Sequence, residues 1–529
     1  KAGAETQDEG VFRLIHQALL SLARQKGDRC GTIQELYWLG MGYFWLHSKL
    51  TCMPAESVEQ YNSKMRFCFT ESGAYLKYYD EIDDVETKGY ILRARANVSL
   101  GSFNSPSERI AIVRNSLRIM QDKSYHEKAP ELPWGRYIYM CHQQMTTSIS
   151  YSKKKVMTPE DMADIMESAY IVYQQRLQET PEGKIVHMAA RWAFPYYAIE
   201  YYCGLYDLDR LLTKVEKLMD AADPSDHSPD AVYRIMSLPA FYFQYLCQNP
   251  ERIPNRVSYI ESLYRRAMEY VGTFSSSEQD KIALYLRQLS FTYIETERGI
   301  PYGRFLEMLM LRFTPDVYIH SLMVGAAART LCGIILDEEP DFFDDIEEIR
   351  EIEDPAEKRR RLLEDAYQGG VLHDAGKISF QELCARPVRQ WFEEEYEVTR
   401  LHTLSGGLML QERPSTRRFA PIALGHHAWY DGTDHGYPDR YKRLECASRQ
   451  LVDVISLVNW LEDRTHSAQV YSGVDMTFDE AVAEVIKLEG RRFSPMLTVR
   501  MQDRTIAEQI REAFEEGRQE AYRHMYEQK

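Results

Sequence analysis

The chain has 529 residues, of which 44% are hydrophobic and 27% charged, so it is long and apolar enough for several globular domains and is not a disordered chain. Its formal net charge of −16 excludes broad binding to a nucleic-acid polymer, which requires a basic surface, although a few local Lys and Arg can still hold a small anion. The nine cysteines are scattered and form no Cys-x-x-Cys pair, which favours a reducing compartment, and we expect a cytoplasmic location.

No membrane span is predicted, because no apolar run reaches about 18 residues. The richest stretch, from Leu36 to Leu46, is short and interrupted by glycines. The visible start shows no signal peptide, although a chain that begins at Lys1 is compatible with a fragment of a longer protein.

Residues 1–300 predict amphipathic helices joined by short loops. Apolar residues recur with the helical period in Val11–Leu20 and Leu211–Met219, and prolines separate such segments. Many helices with short connections predict an α-solenoid of stacked helical hairpins. Leu39-Gly40-x-x-Tyr43 and the segment from Tyr202 to Asp207 resemble parts of a tetratricopeptide repeat. We expect a regulatory or dimerisation region whose face suits a peptide, a protein or a second copy of the chain.

Tyrosine is concentrated in this half, which holds 26 of the 36 tyrosines. A ligand groove can use tyrosine, because its ring is rigid and its tip is polar. Aromatic residues at helical spacing more often fill a core, and that interpretation is favoured here. The sequence indicates no particular ligand.

A domain boundary is predicted at Gly299-Ile300-Pro301-Tyr302-Gly303, where two glycines and a proline end a helix. The predicted divisions are therefore residues 1–300, a domain at 301–504 and a C-terminal helix at 505–529. The mixed charge of that last helix favours packing or dimerisation.

The C-terminal half carries histidines and carboxylates in an ordered series. Six of the 14 histidines fall between positions 320 and 435. Asp316 and His320 are four residues apart on a predicted helix, so their side chains share one face. Imidazole and carboxylate are preferred ligands of divalent ions, so the series predicts one metal site. Its further members are His373-Asp374, His402, His426-His427 and Asp453.

Lys377 follows this His-Asp pair closely, and a point-charge ammonium beside a metal centre suits a phosphate group. Gly376 would let a substrate or a neighbouring backbone come close. Simpler interpretations stay open: a helix-start carboxylate for Asp316, a solvated lysine for Lys377 and loop surface for His435.

From Phe305 to Gln502 the sequence resembles the HD-GYP family, a branch of the HD superfamily of metal-dependent phosphohydrolases. The matching motifs are His320-Ser321, His373-Asp374-x-Gly-Lys, His402-x-x-x-Gly, His426-His427 followed by Asp-Gly and Gly-Tyr-Pro, Asp453, and the closing segment from Gly490 to Pro495. The expected fold is all-α, with the N-terminal solenoid followed by an HD-GYP-type helical bundle.

The resemblance implies two or three divalent metal ions, with iron or manganese first and zinc or nickel as alternatives. The implied metal ligands are Asp316, His320, His373, Asp374, His402, His426, His427 and Asp453. It implies catalytic roles for His373, Asp374 and Lys377, with Asp374 bridging two metals and Lys377 contacting the substrate phosphate. Further substrate contacts are implied for Gly436, Tyr437 and Pro438, while Arg464 is either a phosphate contact or part of a surface salt bridge.

The implied substrate is a cyclic dinucleotide, with cyclic di-GMP first, as in bacterial signalling. Several positions depart from the family's pattern. Asp316 stands where three-metal members have Glu, Thr403 replaces Pro, Ala428 replaces Glu, and the Gly-Tyr-Pro loop is two residues longer and includes Asp434. Three functions therefore stay open: an active phosphodiesterase regulated by the N-terminal half, a non-catalytic receptor or scaffold, and a phosphohydrolase of another nucleotide.

Overall fold

In a computed structural model the chain is all-α, which confirms the predicted fold class. The structure describes residues 8–50, 53–101, 103, 105–147, 157–275, 281–380, 390–433, 435–439, 441–465 and 476–527. These residues form helices and turns without a β-strand, and Glu489 and Phe493 make an isolated bridge. The chain divides into two compact units, Lys1–Ile294 and Glu295–Lys529. The domain limits proposed from the sequence, at 300 and 504, stay predictions.

The first unit consists of helices that follow one another closely along the chain. Its α-helices are α1 (Glu9–Lys26), α2 (Arg29–Lys49), α3 (Ala55–Ala74), α4 (Val85–Asn97), α5 (Pro106–Gln121), α6 (Lys123–Lys128), α7 (Trp134–Thr146), α8 (Pro159–Gln178), α9 (Ala190–Tyr202), α10 (Leu208–Asp220), α11 (Pro229–Val232), α12 (Leu238–Gln248), α13 (Val257–Gly272) and α14 (Ala283–Phe291). A π-helical turn, Tyr233–Ser237, joins α11 to α12.

Helix starts in this unit carry side-chain caps. Asp8, Asp28, Asp84 and Asp207 each accept a hydrogen bond from a backbone N–H in the first turn, which satisfies a donor that the helix leaves open. Consecutive helices then pack on one another, α1 on α2, α2 on α3 and α3 on α4. The tetratricopeptide-like solenoid stays a prediction.

Tyrosines of the first unit help to fill its core. Tyr61, Tyr242 and Tyr270 are almost fully buried. The Tyr242 hydroxyl donates to Glu216 and the Tyr270 hydroxyl donates to the Asp226 carbonyl, each at 2.6 Å. The core interpretation is therefore confirmed for these side chains, and the hydroxyls of Tyr242 and Tyr270 find partners inside the unit.

The second unit contains α15 (Tyr302–Phe313), α16 (Pro315–Glu338), α17 (Glu347–Arg350), α18 (Pro355–Leu372), α19 (Glu393–Arg400), α20 (His402–Gln411), α21 (Ala420–Gly425), α22 (Arg449–Thr465), α23 (Phe478–Lys487), α24 (Pro495–Met501) and α25 (Arg504–Glu527). A 3-10 helix, Ala375–Phe380, follows α18. Helix α16 lies at the centre of the unit and packs against α18, α22 and α25. Each helix that carries a predicted histidine ligand thus belongs to this unit.

Helix α16 approaches its neighbours closely through glycines. A Cβ on Gly370 of α18 would lie 2.5 Å from the Cα of Gly325, so both helices need glycine at their crossing. A Cβ on Gly517 of α25 would lie 2.6 Å from the Leu322 carbonyl oxygen. These crossings set the helix that carries His320 against the helix that leads to His373.

Among the described residues, α16 is the one helix whose length and composition would allow it to cross a membrane, and 72% of its apolar window is buried inside the protein. Its apolar surface is covered by α18, α22 and α25, which accounts for the composition.

Candidate metal centre

The His373-Asp374 pair lies where α18 ends and the 3-10 helix begins. A Cβ on Gly376 would overlap the carbonyl oxygen of His402 and would lie 2.5 Å from the backbone nitrogen of Gly406. Only glycine allows this contact, which brings the turn after Asp374 onto the start of α20, where His402 lies. Gly376 and Gly406 therefore let the His373-Asp374 motif and the His402 motif come together, which brings their histidine and aspartate side chains close to one another.

Asp374 is the centre of the cluster, and its two carboxylate oxygens face different histidines. Its Oδ2 atom is 3.5 Å from Nε2 of His320 and 3.5 Å from Nε2 of His373. Its Oδ1 atom is 3.2 Å from Nε2 of His402 and 3.6 Å from Nε2 of His426. The carboxylate thus lies between two imidazole pairs, as a ligand shared by two ions would.

Backbone carbonyls orient three of these imidazoles. Nδ1–H of His373 donates to Gly370, Nδ1–H of His402 to Thr399, and Nδ1–H of His426 to Ala423, at 2.6, 2.7 and 3.0 Å. A carbonyl can only accept, so Nδ1 carries the hydrogen and the lone pair is on Nε2. Every one of these Nε2 lone pairs points into the cluster.

The Nε2 atoms of these imidazoles and of His320 approach one another in pairs across short gaps. His320 Nε2 is 3.2 Å from His373 Nε2, and His402 Nε2 is 3.2 Å from His426 Nε2. Two ligands about 2.1 Å from one ion lie roughly 3 to 3.4 Å apart, which matches both gaps. Both buried oxygens of Asp374 also lack a hydrogen bond of good geometry. The donor set fits divalent cations.

The protonation states of the buried imidazoles and of Asp374 also suit metal binding. Burial lowers the pKa of His402 and lowers the pKa values of His373 and His427 well below the usual range, so these imidazoles are neutral. Burial opposes ionisation of Asp374, but Lys377, with Nζ 2.6 Å from Oδ2, and the imidazoles hold its pKa well below its usual range. Neutral imidazoles and an ionised carboxylate are the forms that bind metal.

The predicted histidine ligands come together in three groups, two of which share His320, and within each group the possible ligand atoms lie within 4.8 Å of one another. The groups are His402, His426 and His427, then His320, His373 and Asp374, and then His320, Glu462 and Asp463. This convergence brings together six of the eight ligands proposed from the sequence.

Asp453, expected from the sequence to be a metal ligand, is paired with arginine side chains in the structure. Its Oδ1 atom accepts hydrogen bonds from Nε and a terminal nitrogen of Arg443, at 2.9 and 2.6 Å, and Oδ2 is 3.8 Å from Arg449. The buried charge predicted to need a metal is therefore compensated by a buried guanidinium. Asp453 belongs to none of the groups above.

Asp316 also lies outside those groups. It occupies the first turn of α16 and is exposed, whereas His320 one turn later is buried. This placement matches the simpler interpretation, a carboxylate at a helix start, where the helix dipole favours negative charge.

Three residues of α22 that the sequence analysis did not propose as ligands face the cluster instead. Asn459, Glu462 and Asp463 share one face of the helix because they are spaced three and four residues apart. Position 453 is six residues before 459 and points elsewhere. Polar residues at this spacing on an otherwise apolar helix were the signal that could have identified this face.

Each of these side chains approaches a histidine or lies beside one. Asn459 Oδ1 is 3.1 Å from His373 Nε2, and its Nδ2 atom is 3.5 Å from Asp463, so an amide oxygen faces the imidazole lone pair. Glu462 accepts a hydrogen bond from Nδ1 of His320, and Asp463 Oδ1 is 4.0 Å from the same nitrogen. Burial would lower the pKa of His320, but the facing carboxylates raise it to about 9.

The predicted substrate loop, which contains Gly436, Tyr437 and Pro438, lies against the cluster. A Cβ on Gly436 would overlap the carbonyl oxygen of His427, so glycine lets the loop approach, and the Tyr437 ring stacks on His427 at 4.4 Å. Burial raises the pKa of the Tyr437 hydroxyl, which keeps it protonated. The Tyr437–Pro438 peptide is cis. His435 is exposed beside Trp429, and Asp434 lies outside the described residues.

Lys377 and Arg464 differ in their settings. Lys377 is buried at the centre, on Oδ2 of Asp374. Arg464 is half-buried near the end of α22, with its guanidinium 5.6 Å from the Trp460 ring. The substrate roles proposed for both residues stay predictions.

Comparison with known proteins agrees with this geometry. Residues 317–458 match the family model of the HD domain, which supports the HD superfamily for this part of the chain. All six converging candidate ligands lie inside the matched range. Together with the His and Asp cluster, the match indicates a metal-dependent phosphohydrolase. No curated protein matches the chain.

Proposed function

We propose that the second unit is a phosphodiesterase that hydrolyses a cyclic dinucleotide, with cyclic di-GMP as the first candidate substrate. The observation that carries this proposal is the position of Asp374 between the two imidazole pairs, with Lys377 at 2.6 Å. Two divalent ions held there, for which we propose iron or manganese, would supply Lewis acidity and lower the pKa of a bound water toward about 7.

The residues of the chain then have separate tasks. His373, His402 and His426 keep their Nε2 lone pairs directed inward because backbone carbonyls hold Nδ1–H. Lys377 presents a buried positive charge that can stabilise negative charge developing on a phosphate. The Gly436 to Pro438 loop, with Tyr437 against His427, would form one wall for the nucleotide.

Metal-loaded protein incubated with cyclic di-GMP and with other cyclic dinucleotides tests the proposal. We expect conversion of cyclic di-GMP to the linear dinucleotide or to GMP, measured by chromatography. The control is the double variant His373→Ala with Asp374→Ala, and an equal rate in that variant would refute the assigned chemistry. If the protein hydrolyses only a different nucleotide, the proposed substrate would be wrong and the proposed reaction class would stand.

A second candidate is a receptor that binds the nucleotide without turnover. Two observations favour it: the neutral amide of Asn459 faces His373, and the carboxylate of Asp453 is held by Arg443 instead of a metal. Both reduce the negative charge available to the ions. Tight binding of cyclic di-GMP without any product over many hours would favour this receptor.

For residues 1–300 we keep the proposal of a regulatory or dimerisation region. The consecutive packing of α1 to α4 is compatible with stacked hairpins, which present a face to a peptide, a protein or a second copy of the chain. Light scattering of the full chain over a range of concentrations tests self-association.

A further inference from the structure

A second feature beside the metal centre is a pair of guanidinium groups on one indole ring. Cζ of Arg464 is 5.6 Å from the centre of the Trp460 ring, and Cζ of Arg492 is 5.8 Å from it. Within the described ranges, neither guanidinium has a carboxylate within ion-pair distance. Two like charges that lie near each other repel, and an anion between them would relieve this repulsion.

The position of Arg492 is fixed by a tight turn. Gly490 adopts a positive φ of 72°, and its N–H donates to the Phe493 carbonyl at 2.9 Å. Phe493 is buried and packs edge-on against Trp460 at 5.6 Å, which anchors the turn to α22. A side chain on such a rigid turn loses little conformational freedom when it binds a ligand.

The same turn is tied to the start of the substrate loop. Tyr430 N–H donates to the carbonyl of Arg492 at 3.2 Å, and Asp431 N–H donates to that of Arg491 at 2.9 Å. The loop continues from there to Tyr437, whose ring lies on His427. Arg492 is therefore connected to the wall that lies against the metal centre.

The electrostatics of Arg492 agree with this position. Burial, together with the nearby charges of Arg464 and Arg443, lowers its pKa to about 10, although Tyr437 and Asp463 oppose the shift. At neutral pH the group remains charged. Arg492 is a half-buried cation near Tyr437 and Asp463, and such a cation binds phosphate more strongly than an exposed one.

We propose that Arg492 and Arg464 form a second phosphate subsite beside the metal centre, which selects substrates that carry two phosphate groups. One phosphate would lie at the metals and Lys377, and the other between the two guanidinium groups. The proposal deepens the cyclic dinucleotide phosphodiesterase and rests on it for the identity of the substrate. The forked guanidinium suits a phosphate because it can donate two parallel hydrogen bonds.

Binding to metal-loaded protein tests the subsite without any need for turnover. The probes are a 5′-phosphorylated linear dinucleotide, which has two phosphates, and a nucleoside 5′-monophosphate, which has one. In Arg492→Gln we expect Kd for the first probe to rise on the order of 10- to 100-fold, because a charged hydrogen bond is lost, while Kd for the second changes less than twofold. Arg492→Lys should show an intermediate loss.

Arg491→Gln is the matched control, since Arg491 is the exposed neighbour on the same turn, with its guanidinium 5.4 Å from Trp429. It should leave both affinities unchanged. An unchanged Kd in Arg492→Gln, an equal loss for both probes, or a parent protein that binds the two probes equally well would each overturn the subsite. If Arg492→Gln weakens binding of the two-phosphate probe alone, and the parent protein hydrolyses no cyclic dinucleotide, the proposed catalysis would be rejected and the subsite would be retained.

Discussion

Both units bury histidines, but they do so in different ways. In the first unit His16 pairs with Glu35 at 2.5 Å and His142 contacts the Ser168 hydroxyl at 3.0 Å. Each of these rings has an ordinary partner on a neighbouring helix. In the second unit the Nε2 atoms of His320 and His373 face each other at 3.2 Å. Burial alone therefore does not indicate a metal site, whereas several imidazole nitrogens that converge on one carboxylate fit divalent metal binding.

The largest expected effect comes from Asp374→Asn, which removes the charge shared by both imidazole pairs. We expect metal content to fall to near zero and hydrolysis to fall by at least about 100-fold, more than is typical for loss of an outer-sphere partner. Elemental analysis and a rate assay measure both. His142→Ala, which removes a buried histidine of the first unit, should leave metal content unchanged. An equal metal content in the parent protein and in Asp374→Asn would refute the role of Asp374 as a shared metal ligand.

Gly376→Ala should have the next largest effect. The added methyl group would overlap the His402 carbonyl oxygen, so the turn after Asp374 would move away from α20, at a cost of roughly 1–3 kcal/mol in unfolding free energy. Thermal denaturation and metal content are the measurements, and both should fall. Gly135→Ala in α7 is the control, because a Cβ there meets nothing within 4 Å. Normal metal binding by Gly376→Ala would contradict the close approach.

Glu462→Gln tests whether the carboxylate partner of a histidine matters for metal binding in the second unit and not in the first. Glu462 accepts from Nδ1 of His320 and so directs Nε2 to the cluster, and its loss should weaken metal binding roughly 10- to 100-fold. Glu35→Gln removes the corresponding partner of His16 in the first unit and should leave metal affinity unaltered. Titration against a competing chelator measures both. If the two variants bind metal alike, Glu462 does not orient a ligand.

The smallest expected effect is a dependence of metal uptake on pH. The pKa of His320 is raised to about 9, so below that pH the metal-free protein carries a proton that a metal ion must displace. The apparent association constant should therefore rise with pH, by up to about tenfold per unit between pH 7 and 9, and flatten above. Isothermal titration at several pH values measures this. A flat profile across that range would contradict the proton on His320.

Several features of the site were predictable from the sequence because they depend on local motifs. His373, Asp374 and Lys377 lie within one turn of chain, and the glycine after Asp374 marks the close approach to His402. The choice among carboxylates was not predictable. Asp453 is an acid on an apolar helix and seemed to require a metal, but a guanidinium ten residues earlier compensates it.

The all-α class, the chemical types of the candidate ligands and their order along the chain follow from the amino-acid sequence alone, because helical periodicity and the affinity of imidazole for metal are properties of short segments. The face of α22 that meets His320 and His373 emerges only in the folded protein, and this face carries Asn459, Glu462 and Asp463, whereas Asp453 pairs with Arg443. The rotation of a helix about its axis is set by packing against α16, and a buried helix that is apolar on most sides does not encode that rotation in its own residues.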